Sequence, residues 1–299
     1  MPSLNPGGFF PAALSSILEQ SFEDFELIAI DSASTDGTQE QLRAVTDPRL
    51  RLVCLPAPCG HATPLNLGLS LAQGTYIAFM DADDVMRPDR LARQVAFLDA
   101  NPEIDVLGTN YTVQMKEGSA VSSRLPGDAQ IKAIMLKMDS SSVHNPTVMV
   151  RGAFMRTHRM FFPPRVTDAD NALWLQMMKA GAKFANLADD LMIYNRHSGS
   201  ITSRHADQLE AGKTPLRTEA LLALLPDLTG YEAEAIAIAM EEGRSLTIDQ
   251  SVAGLLAMER ASRISTCRFG ADRDMLHQVL AFSYRRARGS LEQALKTPC

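Results

Sequence analysis

The 299-residue chain carries 29 Lys and Arg against 35 Asp and Glu, which gives a net charge of −6 and a pI near 5.6. This acidic balance argues against a nucleic-acid partner and against strong attraction to an anionic membrane. With 45% hydrophobic residues, the chain can bury a sizeable core. No apolar stretch reaches the length of a membrane span, no secretion signal is evident, and the four cysteines lack metal or disulfide-scaffold spacing. A globular protein in a reduced, cytoplasmic setting is expected.

Strand and helix patterns alternate along the first hundred residues. Apolar residues at helical spacing around Leu14 are followed by a short β run that ends at Asp31. The strands are predicted over 25–30, 50–55 and 76–80, and the later helices over 35–45, 65–72 and 88–98. This alternation predicts an α/β fold with a largely parallel sheet and helices on both faces.

The second half of the chain divides into a shorter α/β stretch and a helical tail. Predicted strands cover 104–108, 111–115, 147–150 and 184–188, predicted helices cover 131–138 and 172–179, and 119–128 is expected to be a loop. From His205 onward the pattern is helical, so a boundary is predicted near Ser203. The tail can pack on the α/β unit, form an oligomer interface or touch a membrane through Arg285, Arg286 and Arg288; packing is favoured and a membrane role ranks last.

Three carboxylates come directly after the predicted strand over 76–80, namely Asp81, Asp83 and Asp84. Ligands gather at the carboxyl ends of strands in open α/β sheets. Like charges crowded at such a place repel one another, and a hard divalent cation shared with a phosphate offsets them. The cluster therefore predicts a donor-nucleotide site. The alternative is that Asp83 or Asp84 caps the helix that starts near Pro88.

Ordered blocks of sequence resemble glycosyltransferase family 2, whose members are inverting enzymes with the GT-A fold. The resemblance covers roughly residues 2 to 203, and its blocks are 25–38, 66–84, 144–151, 168–175 and 194–201. It implies a Rossmann-like central mixed, mostly parallel sheet flanked by helices. The implied domains are 1–203, with a nucleotide-sugar half at about 1–115 and an acceptor half at about 116–203, and a helical C-terminal region at 204–299.

The resemblance also implies an activity. It points to metal-dependent, inverting transfer of a sugar from a nucleotide-diphosphate donor, with a UDP-sugar expected. The acceptor would be a hydroxyl of a carbohydrate or a lipid-linked molecule, as in the synthesis of bacterial surface polysaccharides or glycoconjugates. The implied metal ligands are Asp83 and Asp81, and Mg²⁺ or Mn²⁺ suits such oxygen ligands.

Individual residues take implied roles from their places in these blocks. Asp31 would bind the uracil or ribose, Asn66 and Asp81 would belong to the donor site, and His197 would reach the diphosphate or the metal. Asp31 can equally be a turn residue or a helix cap, judged alone. His197, as a single histidine in a polar loop, can simply be solvated.

The implied catalytic base is Asp170, which would accept the proton of the attacking hydroxyl. Its alternative role is an N-cap of the helix that carries Trp174. Trp174 itself is expected either in the core or at the floor of the acceptor pocket.

The chain departs from the family pattern at four positions. Ser32 stands where a second acid is common, Leu65 replaces a basic residue, Ala169 replaces a Glu, and Asn195 replaces an Arg. These changes motivate a second hypothesis, a degenerate nucleotide-sugar binding module without turnover. A nucleotidyltransferase is a third, but it would want a Gly-rich and basic phosphate loop near the first strand, and none is visible.

The start of the sequence also departs from the family. Members open with an apolar strand that lies near the centre of the sheet, whereas residues 2–5 match only the family segment located after that strand. We therefore expect the sheet to lack this inner strand. Two explanations stay open: the true start lies upstream, or another segment fills the gap.

Overall fold

The structure is a computed structural model that describes residues 1–115, 118–164, 168–197, 199–200, 206–241 and 243–296. The chain divides into two compact units. The first comprises Met1–Pro126 and Val143–Ser200, and the second comprises Gly127–Ser142 with the described residues from 206 onward. The boundary predicted near Ser203 lies outside the described residues.

A parallel sheet of three strands opens the first unit. The strands are β1 (Pro2–Ser3), β2 (Leu27–Asp31) and β3 (Leu50–Cys54), with β2 in the middle. Helices α1 (Phe10–Leu18), α2 (Thr38–Ala44) and α3 (Ala62–Leu71) alternate with these strands along the chain. Asp31 is the last residue of β2 and pairs with Ser3, so the chain leaves the sheet for its first polar loop at this edge.

A second sheet of six strands completes the first unit. Its members are β4 (Tyr76–Ala78), β5 (Val85–Met86), β6 (Val106–Met115), β7 (Gly118–Ser122), β8 (Met149–Arg151) and β9 (Phe184–Asn195). The strand order is β4-β8-β6-β9-β5, with β7 paired to β6; β6 and β9 are parallel and the other pairs antiparallel. The next helices in chain order are α4 (Arg90–Ala100), α5 (Asp128–Ile134), α6 (Gly152–Thr157) and α7 (Ala169–Lys179). The predicted α/β class with a mixed sheet is therefore confirmed, although only one strand pair of this second sheet, β6 with β9, is parallel.

A cavity of about 790 Å³ lies beside β2, where an inner strand was expected to be missing. The cavity is lined by residues of both β2 and β4, including Ile28, Ile30, Tyr76 and Ala78. The short strand β1 pairs only with the last two residues of β2. Within the described part of the chain, no strand pairs with both β2 and β4, and the two sheets remain separate.

One hydrophobic core holds the first unit together. Buried side chains from α1, β2, α4, β6 and β9 meet in it, for example Phe10, Leu27, Leu98, Leu107 and Met192. Burial of large apolar side chains of this kind stabilises the folded chain by about 1.5–3 kcal/mol each. The core thus fixes the strands whose ends carry the acidic residues.

Two predicted segments differ from the structure. The segment 119–128, expected to be a loop, begins with the edge strand β7, whose residues are largely exposed and so show no apolar alternation. The strands predicted over 104–108 and 111–115 form the single strand β6, and the pairing of β6 with β9 shifts register between Thr109 and Thr112. The predicted break thus coincides with a bulge in a continuous strand.

The second unit is helical in its described residues. Besides α5 it contains α8 (Ala206–Leu224), α9 (Gly230–Ala239), α10 (Ile248–Arg263) and α11 (Arg273–Lys296). Thr229 and Thr247 start α9 and α10 with complete capping boxes, which satisfy main-chain donors at both helix starts. Among the helices that the structure describes, none combines the length and apolar character that a membrane crossing requires.

Candidate active site

The acidic cluster comes directly after β4. Strand pairing ends at Ala78, and the next residue, Phe79, still donates its main-chain N–H to the carbonyl of Val148 at 2.9 Å. The chain then turns through Asp81, Asp83 and Asp84 before β5 begins. Three carboxylates are therefore held at the end of a strand that is fixed by its neighbour β8.

Asp84 is the most deeply buried of the three acids, with none of its surface exposed. Its Oδ1 accepts a hydrogen bond of 2.9 Å from the main-chain nitrogen of Asn195, and its Oδ2 has no hydrogen-bond partner among the described residues. Burial raises the pKa of Asp84 well above its ordinary value, and the charges of Asp81 and Asp83 raise it further. A neighbouring cation would stabilise the ionised form of this group.

Asp81 links the acidic cluster to the predicted catalytic base. Burial raises the pKa of Asp81 to about 7, and the nearby charges of Asp83 and Asp170 add to this effect. Burial lowers the pKa of His61, and the negative charge of Asp170 raises it by a smaller amount. Asp170 therefore lies near enough to Asp81 and His61 for its charge to raise the pKa of both.

Asp83 is in direct contact with His197. The imidazole Nε2 of His197 lies 2.9 Å from Oδ2 of Asp83, and both side chains are about one quarter exposed. The side chain of Asn195 donates a hydrogen bond of 2.7 Å to the main-chain oxygen of Asp83. The last residue of β9 and the segment that follows it are therefore both bonded to the acidic cluster.

The capping roles considered for these acids are not seen. The N-cap of α4 is Asp89, while Asp84 bonds to Asn195 at the end of β9 and Asp83 bonds to His197 just after it. The N-cap of α7 is Asp168, and Asp170 lies within the first turn of that helix. Neither the acidic cluster nor Asp170 is thus explained by helix capping.

Asp31 is placed differently from the other predicted site residues. It is fully buried, and its carboxylate accepts hydrogen bonds from the Ser3 hydroxyl at 3.0 Å, the Ser34 main-chain nitrogen at 2.9 Å and the Gln39 amide at 2.6 Å. The bond to Ser34 is the local turn contact that was the alternative for this residue. In this structure Asp31 organises the loop after β2, and its contact with a nucleotide stays a prediction.

Asn66 also has its side chain engaged within the protein. Its amide nitrogen donates to the carbonyl of Phe162 at 2.8 Å, and its amide oxygen accepts from the Phe162 nitrogen at 2.8 Å. This pair of bonds ties α3 to the segment after α6. A donor contact for Asn66 therefore stays a prediction, and it would require this tie to open.

Arg90 is a cationic residue of the site that the sequence did not reveal. Its side chain is fully buried under the acidic cluster, where it donates to the Phe79 carbonyl at 3.0 Å and to the Gln94 side chain at 3.0 Å. Burial lowers the pKa of Arg90 to about 9, against the opposing effect of the Asp84 and Asp81 charges. A single Arg at the start of an amphipathic helix carries no sequence signal for this position.

The four departures from the family pattern have specific surroundings. Leu65 is 6% exposed and lines the cavity beside β2, Ala169 is buried in the first turn of α7, and Asn195 binds Asp83 and Asp84. The Ser32 hydroxyl lies 3.6 Å from the sulfur of Cys59. Trp174 is 1% exposed and packs edge-to-face on Phe79 with ring centres 5.9 Å apart, which places it in the core.

The residues present fit part of a divalent metal site. Within the described ranges, no three or more His, Cys, Asp or Glu side chains are arranged as a ligand set. The carboxylates of Asp81 and Asp83 nevertheless supply hard oxygen ligands, which Mg²⁺ and Mn²⁺ prefer. The raised pKa of Asp81 and the unpaired Oδ2 of Asp84 mark a place where Arg90 compensates the negative charge only in part. Two such carboxylates suffice when a bound diphosphate and waters complete the coordination.

Comparisons with known proteins agree on one family. The profile of the family described as glycosyl transferase family 2 matches residues 1–161. TuaG of Bacillus subtilis, named provisionally as a teichuronic acid biosynthesis glycosyltransferase, is 30% identical over 68% of this chain and 79% of its own. WfaP of Escherichia coli, a UDP-Glc:alpha-D-GlcNAc-diphosphoundecaprenol beta-1,3-glucosyltransferase, is 26% identical over 66% of this chain and 76% of its own. An uncharacterized glycosyltransferase of Haemophilus influenzae is matched over 65% of its length, just under two thirds.

Solved structures support the fold. S. aureus TarS 1-349 in complex with UDP-GlcNAc aligns with a TM-score of 0.65 at 19% identity, over 98% of this chain and 90% of its own. The mannosyltransferase PcManGT from Pyrobaculum calidifontis, in complex with GDP-Man and Mn²⁺, aligns with a TM-score of 0.55 at 19% identity, over 100% of this chain and 74% of its own. At this level of identity the match concerns the fold, and it confirms the GT-A class.

Proposed function

Because the chain belongs to glycosyl transferase family 2, we propose that it is a metal-dependent, inverting enzyme that moves a sugar from a UDP-sugar to an acceptor hydroxyl. The observation that carries this proposal is the cluster of Asp81, Asp83 and Asp84 directly after β4, with Asp170 near enough for its charge, like that of Asp83, to raise the pKa of Asp81. A donor-side pair of acids and a separate acid at the start of α7 are what a displacement with a metal-bound diphosphate and a proton acceptor requires.

The donor and acceptor classes are proposed from the named similarities. UDP-GlcNAc is bound by TarS, and WfaP uses UDP-Glc with a GlcNAc-diphosphoundecaprenol acceptor. TuaG is provisionally named for the biosynthesis of teichuronic acid. We therefore place the chain in the assembly of bacterial surface polysaccharide or glycoconjugate, with a hexosyl group as the transferred unit and a carbohydrate or lipid-linked acceptor.

Asp81 and Asp83 would hold Mn²⁺ or Mg²⁺ in this proposal. The bound ion supplies Lewis-acid stabilisation of the charge that develops on the leaving diphosphate. The Nε2 of His197 lies 2.9 Å from Oδ2 of Asp83, and its Nδ1 accepts a hydrogen bond of 3.2 Å from the Gly199 nitrogen. His197 would therefore orient Asp83, and a contact with the diphosphate would require one of these two bonds to open. Asn195 and Asp84 keep the segment that carries His197 in place.

Asp170 would accept the proton of the acceptor hydroxyl as that oxygen attacks the anomeric carbon. A single displacement of this kind inverts the configuration of that carbon. His61 lies close to Asp170 at the start of α3 and balances part of its charge when protonated.

Calorimetry with UDP, in the presence and absence of Mn²⁺, tests the donor side. We expect Mn²⁺-dependent UDP binding in the wild type and its loss in Asp83→Ala. Asp24→Ala, which removes an exposed acid, serves as the matched control and should bind like wild type. Equal Mn²⁺-dependent affinity of wild type and Asp83→Ala would remove Asp83 from the metal site.

Incubation with a panel of UDP-sugars and Mn²⁺ separates the enzyme from the binding module. Transfer to an acceptor, or slow hydrolysis of the donor, supports the enzyme. Binding without either reaction supports the degenerate module, which the apolar residues at positions 65 and 169 favour. The anomeric configuration of the product, read by NMR, checks the inversion.

A further inference from the structure

The N-terminal loop is bound to the loop after β2. The main-chain nitrogen of Asn5 donates to the Ser34 hydroxyl at 2.9 Å, and that of Gly7 donates to Oδ2 of Asp36 at 2.8 Å. In return, the Thr35 nitrogen donates to the Asn5 side chain at 2.8 Å. These reciprocal hydrogen bonds fix the N-terminal loop against the loop after β2.

The conformation of the N-terminal loop is specific. Asn5 has a φ of 49° and Gly7 a φ of 64°, both in the left-handed region that Asn and Gly tolerate best. The turn Gly7–Phe9 comes next and leads into α1. Because Asn5 and Gly7 both adopt this less common conformation, the loop determines the direction in which Phe9 leaves it.

The ring of Phe9 stacks on the imidazole of His197. The ring centres are 4.5 Å apart and the planes are inclined by 22°. Phe9 nevertheless remains 37% exposed, so it covers His197 without being part of the hydrophobic core. At the edge of its ring, His197 contacts Asp83 through Nε2 at 2.9 Å.

We propose that Phe9 is a positioning residue for the donor site, because its ring packs on the imidazole of His197 and helps to keep Nε2 against Asp83, the proposed metal ligand. This inference rests on the proposed function. A free imidazole on a surface segment samples several rotamers, and a stacked ring reduces that freedom before the donor arrives. The same loop contacts residues 34–36, so Phe9 connects the loop after β2 with the acidic cluster.

A double-mutant cycle tests whether Phe9 acts through His197. The variants are Phe9→Ala, His197→Ala and the double variant, with UDP affinity in Mn²⁺ measured by calorimetry. We expect Phe9→Ala to weaken UDP binding about threefold to tenfold, which is the range of an aromatic pair. In the His197→Ala background the same change should have almost no further effect. An equal effect in both backgrounds would overturn the proposal.

Two further variants separate positioning from general stability. Phe9→Tyr keeps a stacking ring and should restore most of the affinity. Phe282→Ala removes an exposed phenyl ring from α11 and should leave UDP binding unchanged. A Phe9→Ala protein that loses affinity only in proportion to a lowered melting temperature would show a structural role and contradict the proposal.

NMR tests the contact independently of catalysis. A phenyl ring stacked on an imidazole shifts the His197 ring-proton resonances upfield, and Phe9→Ala should abolish this ring-current shift. If the wild-type protein shows the shift but binds no nucleotide, the proposed function fails and the donor role of Phe9 fails with it, while the contact itself stands. If the shift is absent from the wild type, the positioning proposal fails even when transfer activity is found.

Discussion

Asp84, buried and removed from solvent, accepts a hydrogen bond of 2.9 Å from the main-chain nitrogen of Asn195. The pair joins the end of the acidic cluster to the end of β9, two segments more than a hundred residues apart in sequence. The contact holds the segment that carries His197, and it does so with a carboxylate whose ionisation is disfavoured. The contact that holds this segment in place therefore buries a carboxylate, and ionisation of that carboxylate lowers the stability of the unliganded protein.

Asp84→Asn should stabilise the metal-free protein at neutral pH. The pKa of Asp84 is raised in the folded state by burial and by the charges of Asp81 and Asp83, so between its ordinary value of 3.8 and the raised value the folded chain binds more protons than the unfolded chain. The contribution of this group to stability is thus complete below about pH 4 and is lost as pH rises through the folded-state pKa. Asn keeps an oxygen for the Asn195 N–H and does not ionise.

Urea unfolding in EDTA between pH 5 and 8 measures this effect. We expect the difference in unfolding free energy between Asp84→Asn and wild type to favour the variant increasingly as pH rises, by at most about 1.4 kcal/mol per pH unit. Saturating Mn²⁺ should reduce the difference, since a cation stabilises the ionised carboxylates. A difference that does not vary with pH would show that Asp84 does not titrate in this range.

Asp170→Asn should lower kcat while leaving UDP binding intact. Asn is close in size to Asp but cannot accept the proton of the attacking hydroxyl, and loss of a general base costs about 10²- to 10⁴-fold in rate. The measurement is transfer kinetics together with calorimetry of UDP in Mn²⁺. Asp168→Asn, at the N-cap of the same helix, serves as a neighbouring control. Equal losses in both variants would indicate damage to α7 rather than removal of a base.

Asn66→Ala separates a structural from a donor role for Asn66. The variant removes both hydrogen bonds to the main chain of Phe162, and each lost bond costs about 0.5–1.5 kcal/mol of stability. We expect a lower unfolding free energy by about 1–3 kcal/mol, with UDP affinity changed less than about twofold at a temperature where the variant is folded. A large loss of UDP affinity with unchanged stability would instead support the contact with the donor.

The positions of the acids could be predicted from the sequence, but not their individual surroundings. A buried strand that leads into Asp81, Asp83 and Asp84 indicates where the acids lie, because strands end at the sheet edge. It does not indicate which acid is buried, since that depends on Asn195, a residue distant in sequence. For the same reason no local pattern revealed Arg90, which bonds to Gln94 on its own helix and to main-chain oxygens just after β4 and just before β8.

Two further features escaped prediction for physical reasons. The edge strand β7 is exposed on both faces, so its side chains lack the apolar alternation that marks a half-buried strand. The stack of Phe9 on His197 joins the beginning of the chain to the end of β9, and an aromatic residue at the start of a helix usually signals core packing. By contrast, the helices with a clear apolar face, such as α1 and α4, lie close to where their spacing predicts them.

Gly68→Ala should stabilise the protein. Gly68 lies within α3, has no positive φ, and lines the cavity beside β2. A Cβ at this position would lie 3.9 Å from the nearest atom, a side-chain carbon of Ile30, which is ordinary van der Waals contact. Ala also loses less backbone entropy than Gly in a helix, so we expect a gain of about 0.5–1 kcal/mol in unfolding free energy.

Gly254→Ala, the matched change in the second unit, should have the opposite sign. Gly254 is buried in α10, and a Cβ there would lie 2.6 Å from Cβ of Ala239 and 3.1 Å from the main-chain oxygen of Ala235, so α9 would have to move. Overpacking of this kind costs about 1–3 kcal/mol, which exceeds the gain in helix propensity. Urea unfolding of both variants, monitored by circular dichroism, measures whether each substitution raises or lowers the unfolding free energy. A stable Gly254→Ala protein would mean that α9 and α10 pack less closely than 2.6 Å implies.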